Sequence, residues 1–280
     1  MKLASLKSGG CEGRLVVAGR ELSHFQAVPD IASSLSEALA RWTQCASRLQ
    51  EVYACLENGH ARHAQPLRRA FCSPPFPGVL KVVAVPYFRS FSVSTHGPHA
   101  ELIAATEAGF DLTLCIALAL TPRVGSMTGP VSVASAPLAM LWAVAECPEG
   151  VGTSQPSVAV CAPAAVVLEE LQSQFGPFTL RTGGNGGSQR VCSVKPPSWL
   201  AIADRLPENA NILLLPWAEG ENAVAHPGRA HKVRVPMDEC WRCDISSGDG
   251  SSVFGALEVC VLRAPSGYAG ARECGFPQPR

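Results

Sequence analysis

Apolar and polar positions alternate loosely over residues 3–17, passing through Ser8, Gly9 and Gly10. That period predicts a hairpin of two short strands. The period then becomes helical: Leu35, Leu39, Trp42, Leu49, Val52, Tyr53 and Leu56 recur on one face, predicting a helix from Ser34 or Ser36 to Leu56. Asn58 and Gly59 supply its stop. After a stiff Pro-rich turn, C-S-P-P-F-P-G, short apolar runs predict strands at residues 79–85, 110–120, 158–161, 212–215, 233–235 and 253–261. Helices are expected at 164–175 and 198–206. The fold class predicted is α+β, mainly β, with a folded-over and mainly antiparallel sheet. The expected organisation is a small hairpin-plus-helix domain at 1–71, a Pro-rich linker at 72–77 and a sheet domain at 78–263. A loosely held tail rich in Gly, Pro and Arg is expected at 264–280.

Composition narrows the classes of partner. The 280 residues are 47% hydrophobic and 16% charged, with formal net charge zero. They suffice for a sizeable core under a weakly charged surface. Basic residues form no stripe, so nucleic-acid binding lacks its electrostatic footprint. The N-terminus has no continuous apolar segment of the secretory kind. Residues 124–145 carry no charge, but Gly125, Gly129, Pro130 and Pro137 interrupt them, and no membrane span is expected. Twelve cysteines without an export signal predict reduced thiols and a cytoplasmic protein. Cys240 and Cys243 form a C-W-R-C pair without a second pair at zinc-ribbon spacing, and are expected to be incidental thiols. The run Gly183–Gly187 reads as a turn, because no Lys-Ser/Thr ending or helix start follows it. His60 with His63 and His96 with His99 share an i, i+3 spacing, which falls short of the convergent ligands zinc needs.

The opening M-K-L-A-S-L-K-S-G-G, continuing G-R-L-V-V-A-G-R-E-L-S and V-P-D-I-A-S-S-L-S-E-A-L, resembles the N-terminal domain of bacterial fumarylacetoacetate hydrolase family proteins. Near the other end, R-C-D-I-S-S-G-D-G-S-S-V-F-G-A-L-E-V-C-V is similar to that family's closing hairpin. The family cleaves, hydrates, decarboxylates or tautomerises β-dicarbonyl and 2-oxo acid compounds, and the resemblance implies a mixed β-roll. Between these anchors, E-A-G-F-D-L-T-L-C-I-A-L-A-L-T resembles the family strand whose alternate carboxylates chelate a divalent cation. The matching positions here are Thr113 and Cys115. The stretch L-A-M-L-W-A-V-A is similar to the one bearing the third ligand, and that position is Val144. Where the family has a substrate-contacting lysine this chain has Gln155, and bulky Leu214, Leu215 and Pro216 stand near the glycine-rich loop position.

The resemblance therefore implies an inherited pocket, lined by Asp111, Trp142 and Gln155, from which the Mg/Mn/Ca ligands are missing. No metal or other cofactor is expected. Two functions fit. One is a pseudoenzyme that binds a small carbonyl compound, a β-dicarbonyl or 2-oxo acid, as a homodimer or as a heteromer with an intact family member. The other is a metal-independent biosynthetic enzyme that decarboxylates, tautomerises or cyclises a polyketide-like intermediate. In that case His99 is the candidate base, and Cys115 or Thr113 would donate hydrogen bonds to a carbonyl oxygen. Glu101 accompanies His99 in sequence.

Overall fold

The expected hairpin forms in the computed structural model, which describes residues 1–8, 10–84, 89–104, 109–121, 137–145, 157–173, 178–184, 190–194, 211–217 and 231–263. Strand β1 (Lys2–Leu6) pairs antiparallel with β2 (Arg14–Ala18), which pairs in turn with β3 (His24–Ala27). The expected helix is split into α1 (Leu35–Ala40) and α2 (Trp42–Glu57) by Arg41, at φ −119° and ψ 33°. Ser34 caps α1: its hydroxyl accepts from the Glu37 N–H at 3.2 Å, while the Glu37 carboxylate accepts from the Ser33 N–H at 2.7 Å. These bonds satisfy amide groups that a helix start otherwise leaves unpaired. Asn58 ends α2 and Gly59 follows at φ +71°, where a residue with a Cβ would be strained.

The remaining strands are β4 (Gln65–Pro66), β5 (Cys72–Ser73), β6 (Gly78–Ala84), β7 (Arg89–His96), β8 (His99–Ala104), β9 (Phe110–Ala119), β10 (Leu138–Ala145) and β11 (Ser157–Val167). Helix α3 (Leu168–Ser173) follows, then β12 (Phe178–Gly184), β13 (Arg190–Val194), β14 (Ile212–Pro216), β15 (Lys232–Val235), β16 (Cys240–Ser246) and β17 (Leu257–Arg263). The helix expected at 164–175 starts only at Leu168, because residues 164–167 continue β11 and pair with both β1 and β10. The helix expected at 198–206 and the tail at 264–280 lie outside the described residues.

Two sheets organise these strands. The 12-stranded sheet runs β10-β9-β14-β6-β7-β11-β1-β2-β3-β4, with β15 beside β9 and β5 beside β1, and β10 also pairs with β11. That extra pairing closes β10, β9, β14, β6, β7 and β11 into a ring, the β-roll expected from the sequence. The second sheet, β13-β12-β16-β17-β8, has five strands. Side chains alternate along each strand, so each face of the ring has its own cluster. One contains Val82, Val93, Cys115, Trp142, Cys161 and Leu214. Every ring strand contributes to it, which identifies it as the ring's interior, and it continues into Leu35 and Leu49 of the helices. The other joins Leu114, Leu141 and Val160 on the ring's outside to Leu102, Leu180, Ile245 and Val259 of the five-stranded sheet.

The two segments that carried the family resemblance meet in space. The buried Lys2 ammonium donates to the carbonyls of Arg20 and Ser252, Arg20 pairs with Asp249, and the Ala164 N–H donates to the Phe254 carbonyl at 3.0 Å. Gly255 must be glycine here: at φ +79°, an added Cβ would lie 2.5 Å from Cγ of Pro163. Burial, above all, lowers the Lys2 pKa from an ordinary 10.5 to about 8. Between these values the unfolded chain holds a proton that the folded chain has released. Stability should therefore rise with pH from about 8 to 10.5 through this group. Urea unfolding midpoints across that window should show the rise in the wild type and a flatter profile in Lys2→Met.

A cross-strand disulfide corrects the expectation that all thiols are reduced. Cys240 of β16 is bonded to Cys260 of β17, its register partner, and not to Cys243 of the C-W-R-C pair, whose side chain is buried on the opposite face. Hairpin register, rather than sequence spacing, selects this pairing.

Candidate functional site

Strand β9 positions the site. Residues Phe110–Leu120 alternate so that Leu112, Leu114, Ile116 and Leu118 face the cluster shared with the five-stranded sheet. Thr113, Cys115, Ala117 and Ala119 consequently project to the other face. On one side β10 sets Val144 opposite Thr113 and Trp142 opposite Cys115. On the other side β14 and then β15 follow one another along β9, with Lys232 opposite Thr113 and Arg234 opposite Asp111. Register partners share a face, so Asp111, Thr113, Val144, Lys232 and Arg234 form one surface that continues inward to Cys115 and Trp142.

The inner part of that surface is apolar and filled. Cys115, Trp142 and Val144 are buried among Met140, Ala159, Cys161 and Leu214. A six-stranded ring is narrower than the eight-stranded barrels whose interiors side chains just fill, and the indole of Trp142 occupies it. The Trp142 indole N–H is buried without a hydrogen-bond partner among the described residues. The Cys115 thiol donates to the Thr113 carbonyl at 3.7 Å. Burial pushes the Cys161 pKa well up, leaving a thiol rather than a thiolate nucleophile.

Toward the open end the surface turns polar. Thr113 is half-buried, and Asp111 is 66% exposed and paired with Arg234 at 3.5 Å. On the other face of β15, between the sheets, a separate cavity of about 330 Å³ is lined by Thr182, Gly183, Gly184, His231, Lys232, Val233, Arg234 and Trp241; Val233 and Trp241 belong with the cluster shared with the five-stranded sheet, and Asp111, Thr113, Cys115 and Val144 do not line it. Its volume lies at the lower end of small-ligand sites. On the Thr113 face, Lys232 and Arg234 stand opposite Thr113 and Asp111, and their N–H groups suit a small carboxylate.

The sequence-derived candidates separate accordingly. Thr113, Cys115 and Trp142 come together, and Asp111 stands at the rim beside Arg234. Gln155 lies outside the described residues. His99 does not reach them. It sits on β8, 57% exposed, and faces away from the cluster between the sheets, to which its neighbours Ala100 and Leu102 belong. Packed sheets are about 10 Å apart, so His99 and Cys115 lie on opposite sides of two sheet layers. The physical reason is that Gly97 and Pro98 carry the chain from β7 in one sheet to β8 in the other. The same crossing parts His99 from His96, whose imidazole pKa burial lowers. His60 and His63 are exposed beyond α2.

Sequence reading missed Lys232, Arg234 and Trp241. The alternation of K-V-R-V marked a strand, but only its pairing with β9 shows that both cations face the mouth of the ring.

Comparison with known proteins agrees with this architecture. Residues 1–78 match the family model described as fumarylacetoacetase N-terminal domain 2. No curated protein matches the chain in sequence. Among solved structures, maleylpyruvate hydrolase from Sphingobium sp. SYK-6 is 12% identical with a TM-score of 0.61, over 94% of this chain and 100% of that one. The same enzyme has been solved in complex with manganese(II) and pyruvate. Fumarylacetoacetate hydrolase from Exiguobacterium antarcticum is 14% identical with a TM-score of 0.56, over 94% of this chain and 100% of that one. A probable 2-hydroxyhepta-2,4-diene-1,7-dioate isomerase from Mycobacterium abscessus is 14% identical with a TM-score of 0.58, over 94% and 99%. Residues 1–78 thus carry the fumarylacetoacetase N-terminal domain, and the described chain shares the fold of these solved structures. The sequence resemblance sets Thr113, Cys115 and Val144 at the positions of the metal-binding carboxylates. No helix among the described residues is long and apolar enough to cross a membrane.

Proposed function

We propose that this chain is a non-hydrolytic member of the family that binds a small 2-oxo acid or β-dicarbonyl compound at the mouth of the strand ring without a divalent cation. One observation carries the reading: Thr113, Cys115 and Val144 meet across neighbouring strands as a hydroxyl, a thiol and an isopropyl group at the edge of an apolar interior. Magnesium and calcium take six or more oxygen ligands, preferably with carboxylates among them. Manganese likewise suits carboxylate, carbonyl and water oxygens. This donor set does not fit such an ion. Positive charge at the mouth comes instead from Lys232 and Arg234, opposite Thr113 and Asp111, whose N–H groups match a carboxylate. A metal-independent enzyme needs a base against the ligand, and His99, the base expected from the sequence, lies beyond the second sheet.

Pyruvate is the natural probe, since the Sphingobium hydrolase has been solved with it. Calorimetric titration of EDTA-treated protein should show pyruvate binding. Lys232→Gln should weaken it about tenfold, the scale of one charge-assisted hydrogen bond. Binding that appears only on adding manganese would contradict the proposal, as would affinity indifferent to Lys232.

A further inference from the structure

The outward face of the five-stranded sheet carries a second group of ligating atoms, unconnected with the mouth of the ring. Glu258 and Cys260 are two residues apart on β17 and therefore point the same way. Register sets His99 of β8 opposite Glu258, and Cys240 of β16 opposite Cys260. In the folded protein the His99 Nδ1 is 3.9 Å from a Glu258 carboxylate oxygen, and the Cys260 sulfur is 4.0 Å from the other. Ligating atoms of His99, Glu258 and Cys260 all lie within 4.8 Å of one another. The Cys240 sulfur is bonded to that of Cys260. Four donors from three adjacent strands thus converge on one point.

We propose that opening the Cys240–Cys260 disulfide creates a zinc-class metal site whose ligands are the two thiolates, the His99 imidazole and the Glu258 carboxylate. The donor set is of the kind that holds zinc tetrahedrally, in the manner of Cys₂His₂ sites with one carboxylate substituted. A tetrahedral ion at ordinary zinc bond lengths holds its ligand atoms roughly 3.3–3.8 Å apart. The observed separations need only small side-chain rotations, and His99 and Glu258 are exposed enough to make them. Two thiolates and a carboxylate around a dication leave one negative charge, and Arg242, the register partner of Glu258, stands beside it.

The two states exclude each other. While the sulfurs are bonded together neither is a thiolate ligand. A dithiol reductant supplies two electrons and two protons, becoming a disulfide while Cys240 and Cys260 become thiols. Metal binding then releases those two protons. The face is closed by a covalent cross-link when oxidised and by an ion when reduced. This gives the hairpin β16–β17 an alternative brace in either redox state.

Cobalt(II) is the probe, because thiolate ligation gives a sulfur-to-cobalt charge-transfer band and tetrahedral geometry gives intense visible bands. Full-length protein should be stripped with chelator and titrated in the oxidised state and after phosphine reduction. The reduced protein should bind one equivalent with both signatures, and the oxidised protein should show neither. The double variant Cys240→Ser/Cys260→Ser, reduced in parallel, controls for the exposed thiols Cys11 and Cys55 and should lose the spectrum. His99→Ala and Glu258→Gln change exposed side chains and should leave the fold intact. Outer-sphere partners alone change metal affinity by roughly 10–100-fold, so each loss of a direct ligand should weaken binding by more than about tenfold. A spectrum that persists in the double serine variant would overturn the assignment. So would full cobalt affinity in both His99→Ala and Glu258→Gln, or an absence of charge-transfer absorption in the reduced protein.

Discussion

Replacing Trp142 with alanine should lower the stability of the folded chain by about 3–5 kcal/mol, the usual cost of deleting a buried Trp or Phe. Trp142 is fully buried on β10, beside its register partner Cys115 on neighbouring β9. Its neighbours inside the ring include Ala117, Ala159 and Cys161, which are too short to collapse into the vacated space. Closed strand pairing holds the walls apart, so the void should persist. Urea unfolding followed by circular dichroism measures the loss. Trp142→Phe, which keeps most of the volume and removes the unpartnered indole N–H, should cost much less. A change below about 1 kcal/mol for the alanine variant would mean that the indole does not fill the interior, since surface substitutions fall in that range.

Gly109→Ala should be the most damaging single-methyl change near the mouth. Gly109 adopts φ +73°, and a Cβ there would sit 2.1 Å from the Val235 carbonyl oxygen and 2.9 Å from the Pro236 Cα. The left-handed conformation costs a residue with a Cβ about 1–2 kcal/mol. The clash with rigid backbone adds to it, because relief requires β15 to separate from β9. That separation would displace Lys232 and Arg234 from their places opposite Thr113 and Asp111. A loss of more than about 2 kcal/mol in stability should therefore accompany loss of pyruvate binding. Unchanged stability with unchanged pyruvate affinity would show that the β9–β15 register is not what builds the mouth.

The sequence made legible the elements with a clear period or punctuation. The helix pair has apolar residues on one face, the start of β9 alternates from Phe110 to Thr113, and β1 and β2, buried on both faces, are marked by the Ser-Gly-Gly turn between them. The break at Arg41 was not legible, because the apolar spacing continues through it. Strand β10 is buried on both faces, and L-A-M-L-W-A-V-A has no alternation to reveal its type. The resemblance to a family strand supplied what periodicity did not. Residues 164–167 were misread as helix because A-A-V-V is buried in either structure, and only pairing with β1 and β10 decides.

At the candidate site, the resemblance pointed to Thr113, Cys115 and Val144, and strand period puts Thr113 and Cys115 on one face. Their mutual contact required the β9–β10 register, as the cations at Lys232 and Arg234 required that of β9–β15. His99 was misplaced for a related reason: proximity to β9 in sequence does not survive the crossing at Gly97 and Pro98 into the other sheet. The Cys240–Cys260 bond spans 20 residues, and nothing in the cysteine spacing distinguishes it from Cys240–Cys243.

Manganese(II) titration of the oxidised protein, followed by the electron paramagnetic resonance of the free aquo ion, tests the central claim most directly. With the Cys240–Cys260 disulfide intact, the free-ion signal should rise in proportion from the first addition, with and without pyruvate. Loss of one equivalent of signal, restored by Thr113→Val, would show a cation held on β9 and return metal-assisted hydrolysis to this chain.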